Sequence, residues 1–316
     1  MVFTSIPDIE LAMRQPLIDE IAGLKRRHNA VVLAHNYMTP DIYHTVADVV
    51  GDSLALARLA ADTDADVVVM AGVHFMAETA KIVNPTKTVL IPDVEAGCSL
   101  ADSITPADVR RLKEQYPGVP VVTYVNTSAA VKAESTITCT SSNAVEVVRS
   151  LDASRVIFIP DQYLGGWVAS QLPDIDLILW EGSCEVHERF TGSQLRQYRR
   201  HHPDLQIIAH PECPGDVLDE ADYVGSTSGM IKWVGLHQPS QVMMVTECSM
   251  ANNVSVSYPD IDFIQPCNLC PHMKRITLEN IRDALAYSQY VVEVDPVTAG
   301  HARTAVERML SLGTTT

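Results

Sequence analysis

DIDLILWEGSCEVHERFTGSQLRQYRRHH, residues 174–202, runs from an apolar segment through a cysteine into a basic amphipathic stretch. The same phrase stands earlier as TVLIPDVEAGCSLADSITPADVRRLKEQY (88–116) and later as DIDFIQPCNLCPHMKRITLENIRDALAY (260–287). In these copies Cys98, Cys184 and Cys270 follow one another at steps of 86 residues. Thr105, Thr191 and Thr277 stand seven residues after the cysteines, and the pairs Val109-Arg110, Leu195-Arg196 and Ile281-Arg282 repeat at one further fixed offset. Two equal spacings with matching neighbours are poorly explained by chance. The chain therefore reads as a threefold internal repeat with one thiol in each copy.

Working upstream, each copy contains four short apolar runs. The runs that precede the cysteines are those just quoted. Before them come ADVVVMAG (65–72), RVIFIPD (155–161) and QVMMVTE (241–247). Earlier still are DVVGDS (48–53), STITCTSS (135–142) and ADYVGSTS (221–228), and first in each copy AVVLAHNY (30–37), VPVVTYVN (119–126) and LQIIAHPE (205–212). Runs of this length bounded by Gly, Pro, Asp and Ser read as buried strands. A helical stretch precedes each first strand: PLIDEIAGLKRRH, PADVRRLKEQY and GSQLRQYRRHH. Thr105 and Thr191 suit the N-cap position, and Pro106 the first helical position.

Strands alternating with helices predict an α/β protein with parallel sheets. The expected architecture is three Rossmann-like domains, each with a four-stranded parallel sheet, around a pseudo-threefold axis. Their expected spans are 1–101, 102–187 and 188–274. The segment 275–316, which opens with the last copy of the leading helix, is expected to pack back on the first repeat.

Net charge is −16, which disfavours nucleic acid or an anionic membrane as partner. No apolar run reaches the roughly 20 residues of a membrane span, and MVFTSIPDIELAMRQ lacks the basic start and apolar core of a signal peptide. A cytoplasmic location is expected, where thiols stay reduced. The seven cysteines then read as ligands or small buried residues rather than structural disulfides.

Cys98, Cys184 and Cys270 each fall between a strand end and a helix start, the edge where open α/β sheets bind ligands. Three converging thiolates fit a [4Fe–4S] cluster with one iron free of cysteine; zinc held by three cysteines and a water is the competing reading. Cys267 competes with Cys270 as third ligand, but Cys270 keeps the repeat register. Cys267 also reads as a spare thiol able to pair with Cys270 on oxidation. Cys139, Cys213 and Cys248 read as small strand-end residues.

The first strands end in His35-Asn36-Tyr37, Tyr124-Val125-Asn126 and His210-Pro211-Glu212. The second strands end in hydroxyl-rich loops containing Ser53, Ser141 and Ser226-Thr227. Taken singly, each Ser loop is a helix N-cap; together they suit a phosphate or carboxylate. His187 adds a hydrogen-bond donor beside Cys184. Tyr37, Tyr124 and Glu212 are candidates for proton transfer. His28, His201 and His202 read as helix-end cations, Met243 and Met244 as core, and Lys81 and Lys132 as solvated lysines.

The phrases LAHNY, ADVVGDSLALA, GVHFMAETAKIVNP, TYVNTSAAVKAESTITCTSSNA, WEGSCEVHERF, HPEC, YVGSTSGMI and CPHMKRITLENI resemble those of the quinolinate synthase family along nearly the whole chain. The resemblance implies one [4Fe–4S] cluster per chain on Cys98, Cys184 and Cys270. It implies condensation of iminoaspartate with dihydroxyacetone phosphate to quinolinate, with loss of phosphate and water, in NAD biosynthesis from aspartate. It assigns His35, Ser53, Ser141, His210, Ser226 and Thr227 to anion and substrate binding, and Asn126 to substrate near the cluster. His187 is assigned to a carboxylate or developing oxyanion, and Tyr37, Tyr124 and Glu212 to proton transfer. An L-aspartate oxidase or aspartate dehydrogenase would supply the iminoaspartate. The chain departs from many relatives after Thr246-Glu247, where it reads Cys248-Ser249-Met250-Ala251-Asn252-Asn253. Two other readings remain: a different cluster-dependent hydro-lyase, which needs no phosphate site, and a non-enzymatic iron–sulfur sensor.

Overall fold

A computed structural model describes residues 6–312. Residues 1–5, the start of the stretch read above for a leader, lie outside the described residues.

The three copies fold alike. The first runs α1 (Asp8–His28), β1 (Ala30–His35), β2 (Val49–Gly51), α2 (Ser53–Asp62), β3 (Val67–Ala71), α3 (His74–Val83) and β4 (Thr88–Leu90). The second runs α4 (Pro106–Gln115), β5 (Val121–Tyr124), α5 (Ala129–Ala133), β6 (Ile137–Cys139), α6 (Ala144–Arg149), β7 (Arg155–Ile159), α7 (Gln162–Gln171) and β8 (Asp176–Leu179). The third runs α8 (Gly192–His201), β9 (Leu205–Ala209), α9 (Gly215–Leu218), β10 (Tyr223–Val224), α10 (Thr227–His237), β11 (Gln241–Val245), α11 (Ser249–Ser255) and β12 (Asp262–Ile264). Each copy forms a separate four-stranded parallel sheet, with strand orders β2-β1-β3-β4, β6-β5-β7-β8 and β10-β9-β11-β12. The first strand of each copy is thus central and buried, so its C-terminal end opens toward one edge with those of its neighbours.

The repeat extends to hydrogen bonding. Thr105, Thr191 and Thr277 each close a capping box, with Asp108, Gln194 and Asn280 reaching back to the cap. Two short parallel bridges, Asp161 with Gly182 and Glu247 with Asn268, occur at equivalent places in the last two copies. At Gly182 the chains approach too closely for a side chain, because a Cβ there would collide with the Pro160 carbonyl oxygen and the Ser103 hydroxyl.

After the third sheet, α12 (Leu278–Tyr287) packs on α1 and β3, and α13 (Pro296–Ser311) lies against α3, α5 and β6. The C-terminal segment thereby touches the first and second sheets. Helix α1 begins well before the predicted stretch and carries Pro16 inside it. Met243 and Met244 are core, and His28 and His201 close their helices as expected. Among the described residues, no helix is long and apolar enough to cross a membrane.

Three expectations are corrected. Lys81 is largely buried and donates to the Lys87 carbonyl at 3.1 Å. Lys132 is not solvated: it is fully buried, donates to the Thr127 carbonyl and stands over the Phe75 ring, 5.4 Å from its centre. Helix α5, which carries it, is covered by α13 and α3, and α13 has no counterpart in the repeat. Cys267 pairs with Cys248 rather than Cys270, their Cα atoms 5.0 Å apart. The reason is the bridge of Glu247 with Asn268, which lays residues 267–268 beside 247–248; the Cys248 N–H bonds the Asn268 carbonyl at 3.2 Å. Cys248 is accordingly a disulfide partner, not only a small strand-end residue, and Cys270 stays free.

Candidate active site

Strand ends from all three sheets meet in one cavity. Cys98, Cys184 and Cys270 line it, together with His35, Tyr37, Ser53, Tyr124, Asn126, Ser141, His187, His210, Glu212 and Thr227. Of the site residues expected above, only Ser226 does not. It caps α10 by accepting from the Gly229 N–H, and borders a neighbouring recess shared with Ser141.

Position and chemistry separate clearly in the first and third copies. The Tyr37 N–H donates to His35 Nδ1 at 3.2 Å, and the Glu212 N–H to His210 Nδ1 at 3.4 Å. An Nδ1 that accepts leaves the ring hydrogen on Nε2. His210 spends its Nε2–H on Ser141 Oγ at 3.1 Å. Burial lowers both imidazoles, His35 to about 4 and His210 to about 3. They are therefore neutral donors near neutral pH, not cations. No Lys or Arg lines the cavity among the described residues, so an anion here would be held by neutral N–H and O–H groups and by helix starts. Ser53 opens α2, Thr227 opens α10, and Ser141 lies in the turn before α6.

A second layer joins the proton-transfer candidates. The Tyr124 hydroxyl faces the Glu212 carboxylate. His187 Nδ1 lies 2.7 Å from Glu212 Oε2, with its N–H poorly aligned to that oxygen. Active-site contacts commonly tighten into aligned hydrogen bonds only with substrate bound. His187 stacks on His210, ring centres 4.8 Å apart. Burial opposes ionisation of Glu212, but His187, His210 and the bonds from His187 and Tyr124 outweigh it and hold the carboxyl below its usual range. Burial and the Glu212 charge push Tyr37 and Tyr124 well up. The cluster thus carries one negative charge, on Glu212, beside two hydroxyls held as proton donors. Asn126 Oδ1 is buried without a partner, which leaves an acceptor free at the cavity wall.

Burial also pushes the three thiols up: Cys98 to about 12, Cys184 well above its ordinary value, and Cys270 upward. Three free thiols lining one cavity suit a thiophilic cation, which would draw them into the thiolate form. Cys184 also places its sulfur within 4.8 Å of ligand atoms of His187 and Glu212, so the thiol wall adjoins the acid–base network.

Sequence reasoning missed four residues here. Thr246, just beyond β11, accepts or donates to Tyr37 Oη at 2.6 Å and His187 Nε2 at 2.9 Å. Buried Glu247 pairs with Lys274 at 3.0 Å, and Lys274 also donates to the Tyr37 carbonyl at 2.6 Å. Asn253, in the divergent stretch after Glu247, donates to the Asn36 and Met38 carbonyls at 3.2 and 2.8 Å. That stretch forms α11 and ties down residues 36–38. Its one sequence signal was that the chain departs there from many relatives.

This is a three-sheet α/β protein whose strand ends combine a thiol wall with a buried acid–base cluster. The profile of the NadA family, quinolinate synthetase A protein, matches residues 19–311. "Quinolinate synthase 1" of Mesorhizobium japonicum is 60% identical over 305 residues, covering 96% of this chain and 94% of that protein. "Quinolinate synthase" of Agrobacterium fabrum is 60% identical over 307 residues, 97% of this chain and 89% of its own. "Quinolinate synthase" of Caulobacter vibrioides is 55% identical over 311 residues, 97% of this chain and 84% of its own. The chain belongs to the quinolinate synthase family, a family of enzymes.

Proposed function

We propose that the protein condenses iminoaspartate with dihydroxyacetone phosphate to give quinolinate, releasing phosphate and water, in the cytoplasm, with iminoaspartate supplied by an L-aspartate oxidase or aspartate dehydrogenase. The observation that carries the reading is the meeting of one free cysteine from each repeat with Tyr37, Tyr124, His187 and Glu212 in one cavity, in a chain of this family. Cys98, Cys184 and Cys270 would hold one [4Fe–4S] cluster. Such a cluster with one iron free of cysteine supplies a Lewis acid for loss of hydroxide.

The chain's own residues account for the rest. The neutral Nε2–H of His35, with hydroxyls of Ser53, Ser141 and Thr227, would hold phosphate and carboxylate oxygens without a cation; His210 would act through Ser141, whose oxygen accepts its Nε2–H and whose own hydrogen stays free to donate, and Ser226 would act from the adjoining recess. Asn126 offers its unpartnered oxygen to a donor on the substrate, such as an imine or amine N–H. Glu212 is the group able to take a proton, and Tyr37 and Tyr124 are groups able to give one. His187, between Glu212 and Thr246, would orient a carboxylate or developing oxyanion. The buried cavity limits water around an imine that water would hydrolyse.

The test is anaerobic purification, iron and sulfide analysis, and chromatographic assay of quinolinate with oxaloacetate, ammonia and dihydroxyacetone phosphate. Quinolinate and phosphate should appear in equal amounts, and turnover without phosphate release would point to a different hydro-lyase. Cys98→Ala, Cys184→Ala and Cys270→Ala should each lose the cluster, whereas Cys267→Ala should keep it. The opposite result for Cys267 and Cys270 would reassign the third ligand.

A further inference from the structure

Beside the central cavity lies a recess of about 400 Å³, formed where the second-strand ends of the three copies meet. Asp52 and Ser141 line both spaces, so the two share a wall. Polar groups converge in the recess with hydrogens unspent. Ser226 is 5% exposed; its Oγ accepts the Gly229 N–H at 3.1 Å, and its own hydrogen has no acceptor among the described residues. Ser228 and Lys232 stand one turn apart on α10, and neither side chain has a partner among the described residues. Tyr223 brings its hydroxyl over the start of α10, where a Cβ on Gly225 or Gly229 would collide with it. The two glycines thus make room for a phenol that makes no hydrogen bond among the described residues. The other two copies contribute Arg58, which donates to the Leu312 carbonyl at 3.2 Å, and the Trp167 indole N–H, which has no partner among the described residues.

Converging donors without acceptors specify an anion. The recess holds one carboxylate, Asp52, and that group caps α2 through the Ala55 N–H at 2.9 Å. Against it stand two cations, Arg58 and Lys232, neither with a carboxylate partner among the described residues. The central cavity differs in kind, since no Lys or Arg lines it among the described residues. Neutral donors can hold a dianion that has shed its water, but they attract it little from a distance. A chain of net charge −16 repels such a substrate overall. Two unpaired cations in the neighbouring space reverse the sign locally and raise the anion's concentration at the shared wall.

We propose that this recess is a second anion site, which takes the phosphate group of a phosphate monoester from solvent before the ester enters the central cavity. The proposal rests on reading the cavity as the site of a reaction that consumes such an ester. Arg58 and Lys232 supply charge. Ser226, Ser228, Tyr223 and Trp167 supply hydrogen bonds to the phosphate oxygens. Ser141, common to both spaces, is the point of transfer, and no covalent bond is made or broken in the recess.

Trp167 carries the readout. It is one of three tryptophans, and its indole signal in a 1H–15N spectrum is assigned with Trp167→Phe. Full-length, anaerobically purified protein is titrated with glycerol 3-phosphate, an ester without the reactive carbonyl, and separately with inorganic phosphate, at constant ionic strength. The ester should shift the Trp167 signal saturably. Lys232 is exposed, so its replacement spares the fold, and Lys232→Glu should weaken ester binding about 10-fold, as for loss of a charged hydrogen bond. In turnover, wild-type kcat/KM for dihydroxyacetone phosphate should fall as salt is raised, and the fall should be shallower in Lys232→Glu. A Trp167 signal that ignores the ester, or responds equally to sodium chloride, would overturn the proposal. So would undiminished ester binding or an unchanged salt dependence in Lys232→Glu. A response to inorganic phosphate with none to the ester would overturn it in favour of a product exit. The Trp167 signal needs no turnover, so a saturable shift without quinolinate formation would count against the proposed function alone.

Discussion

The helix caps and the strand ends of this molecule follow opposite rules. At the caps, Thr105, Thr191 and Thr277 make the same reciprocal pair of hydrogen bonds. At the strand ends, equivalent backbone positions carry different groups. His35 and His210 receive the same N–H from two residues on, yet that residue is a phenol in one copy and a carboxylate in the other. Identity between the caps marks what folding needs. Divergence at one geometry marks chemistry, because a reaction needs an acid and a base at neighbouring points rather than three of either.

If that contrast holds, breaking a strand end should reduce rate and leave folding alone. Glu212→Gln should have the largest effect, a loss of about 10²–10⁴ in kcat, the range for a positioned general acid or base. Iron content and thermal midpoint should stay near wild type. A destabilised Glu212→Gln protein with normal turnover per folded molecule would erase the distinction. Tyr37→Phe should fall at the lower end of that range, about 10²-fold, because Tyr124 remains as a second hydroxyl beside Glu212. A loss exceeding that of Glu212→Gln would make Tyr37 the principal acid.

The two histidines sharpen the comparison through pH. Their native values are depressed, to about 4 for His35 and about 3 for His210, chiefly by burial. The unfolded chain titrates near 6.5. Above that pH both states are neutral and the stabilisation is complete. As pH falls below it, the unfolded state binds protons that the native state refuses, and stability drops until the native values are passed. By pH 5.5 each histidine should have cost about 1 kcal/mol. The double variant His35→Gln/His210→Gln should therefore show a flatter decline of thermal midpoint from pH 7 to 5.5. An unchanged slope would mean these rings titrate normally and bind anions as cations.

The twelve strands were legible because each run is written three times, so register errors in one copy are corrected by the other two. The cysteines and ten of the eleven other expected site residues line one cavity, and apart from His187, placed by its neighbour Cys184, they were read from aligned strand ends. What escaped lies where the repeat stops or where one copy carries a residue the others lack. Helix α13 has no counterpart, and without it the burial of Lys132 could not be foreseen. Thr246 read as the tail of a strand whose other copies end in Gly72 and Pro160, and its meaning depends on Tyr37 being over two hundred residues away in sequence. Cys248 found Cys267 through a backbone bridge, a pairing that spacing alone does not encode.

The smallest effect is expected at the caps. In Thr105→Ala the Asp108 N–H loses its side-chain acceptor, while the Asp108 carboxylate can still reach the cap N–H at 2.8 Å. Half of the box survives, so the cost should be about 1 kcal/mol. In a chain of this size that corresponds to only a few degrees in thermal midpoint. Thr277→Ala should cost more than Thr105→Ala, because α12 packs on α1 and β3 and its cap also holds an Asn280 side chain that donates to the Arg275 carbonyl at 2.7 Å. Urea denaturation of both variants, with kcat measured on the folded protein, reads the two quantities separately. Unchanged kcat in both would keep the caps outside the chemistry. A loss of rate in Thr277→Ala alone would show that its cap helps place residues 270–275, and that one of the three identical positions has begun to diverge in role.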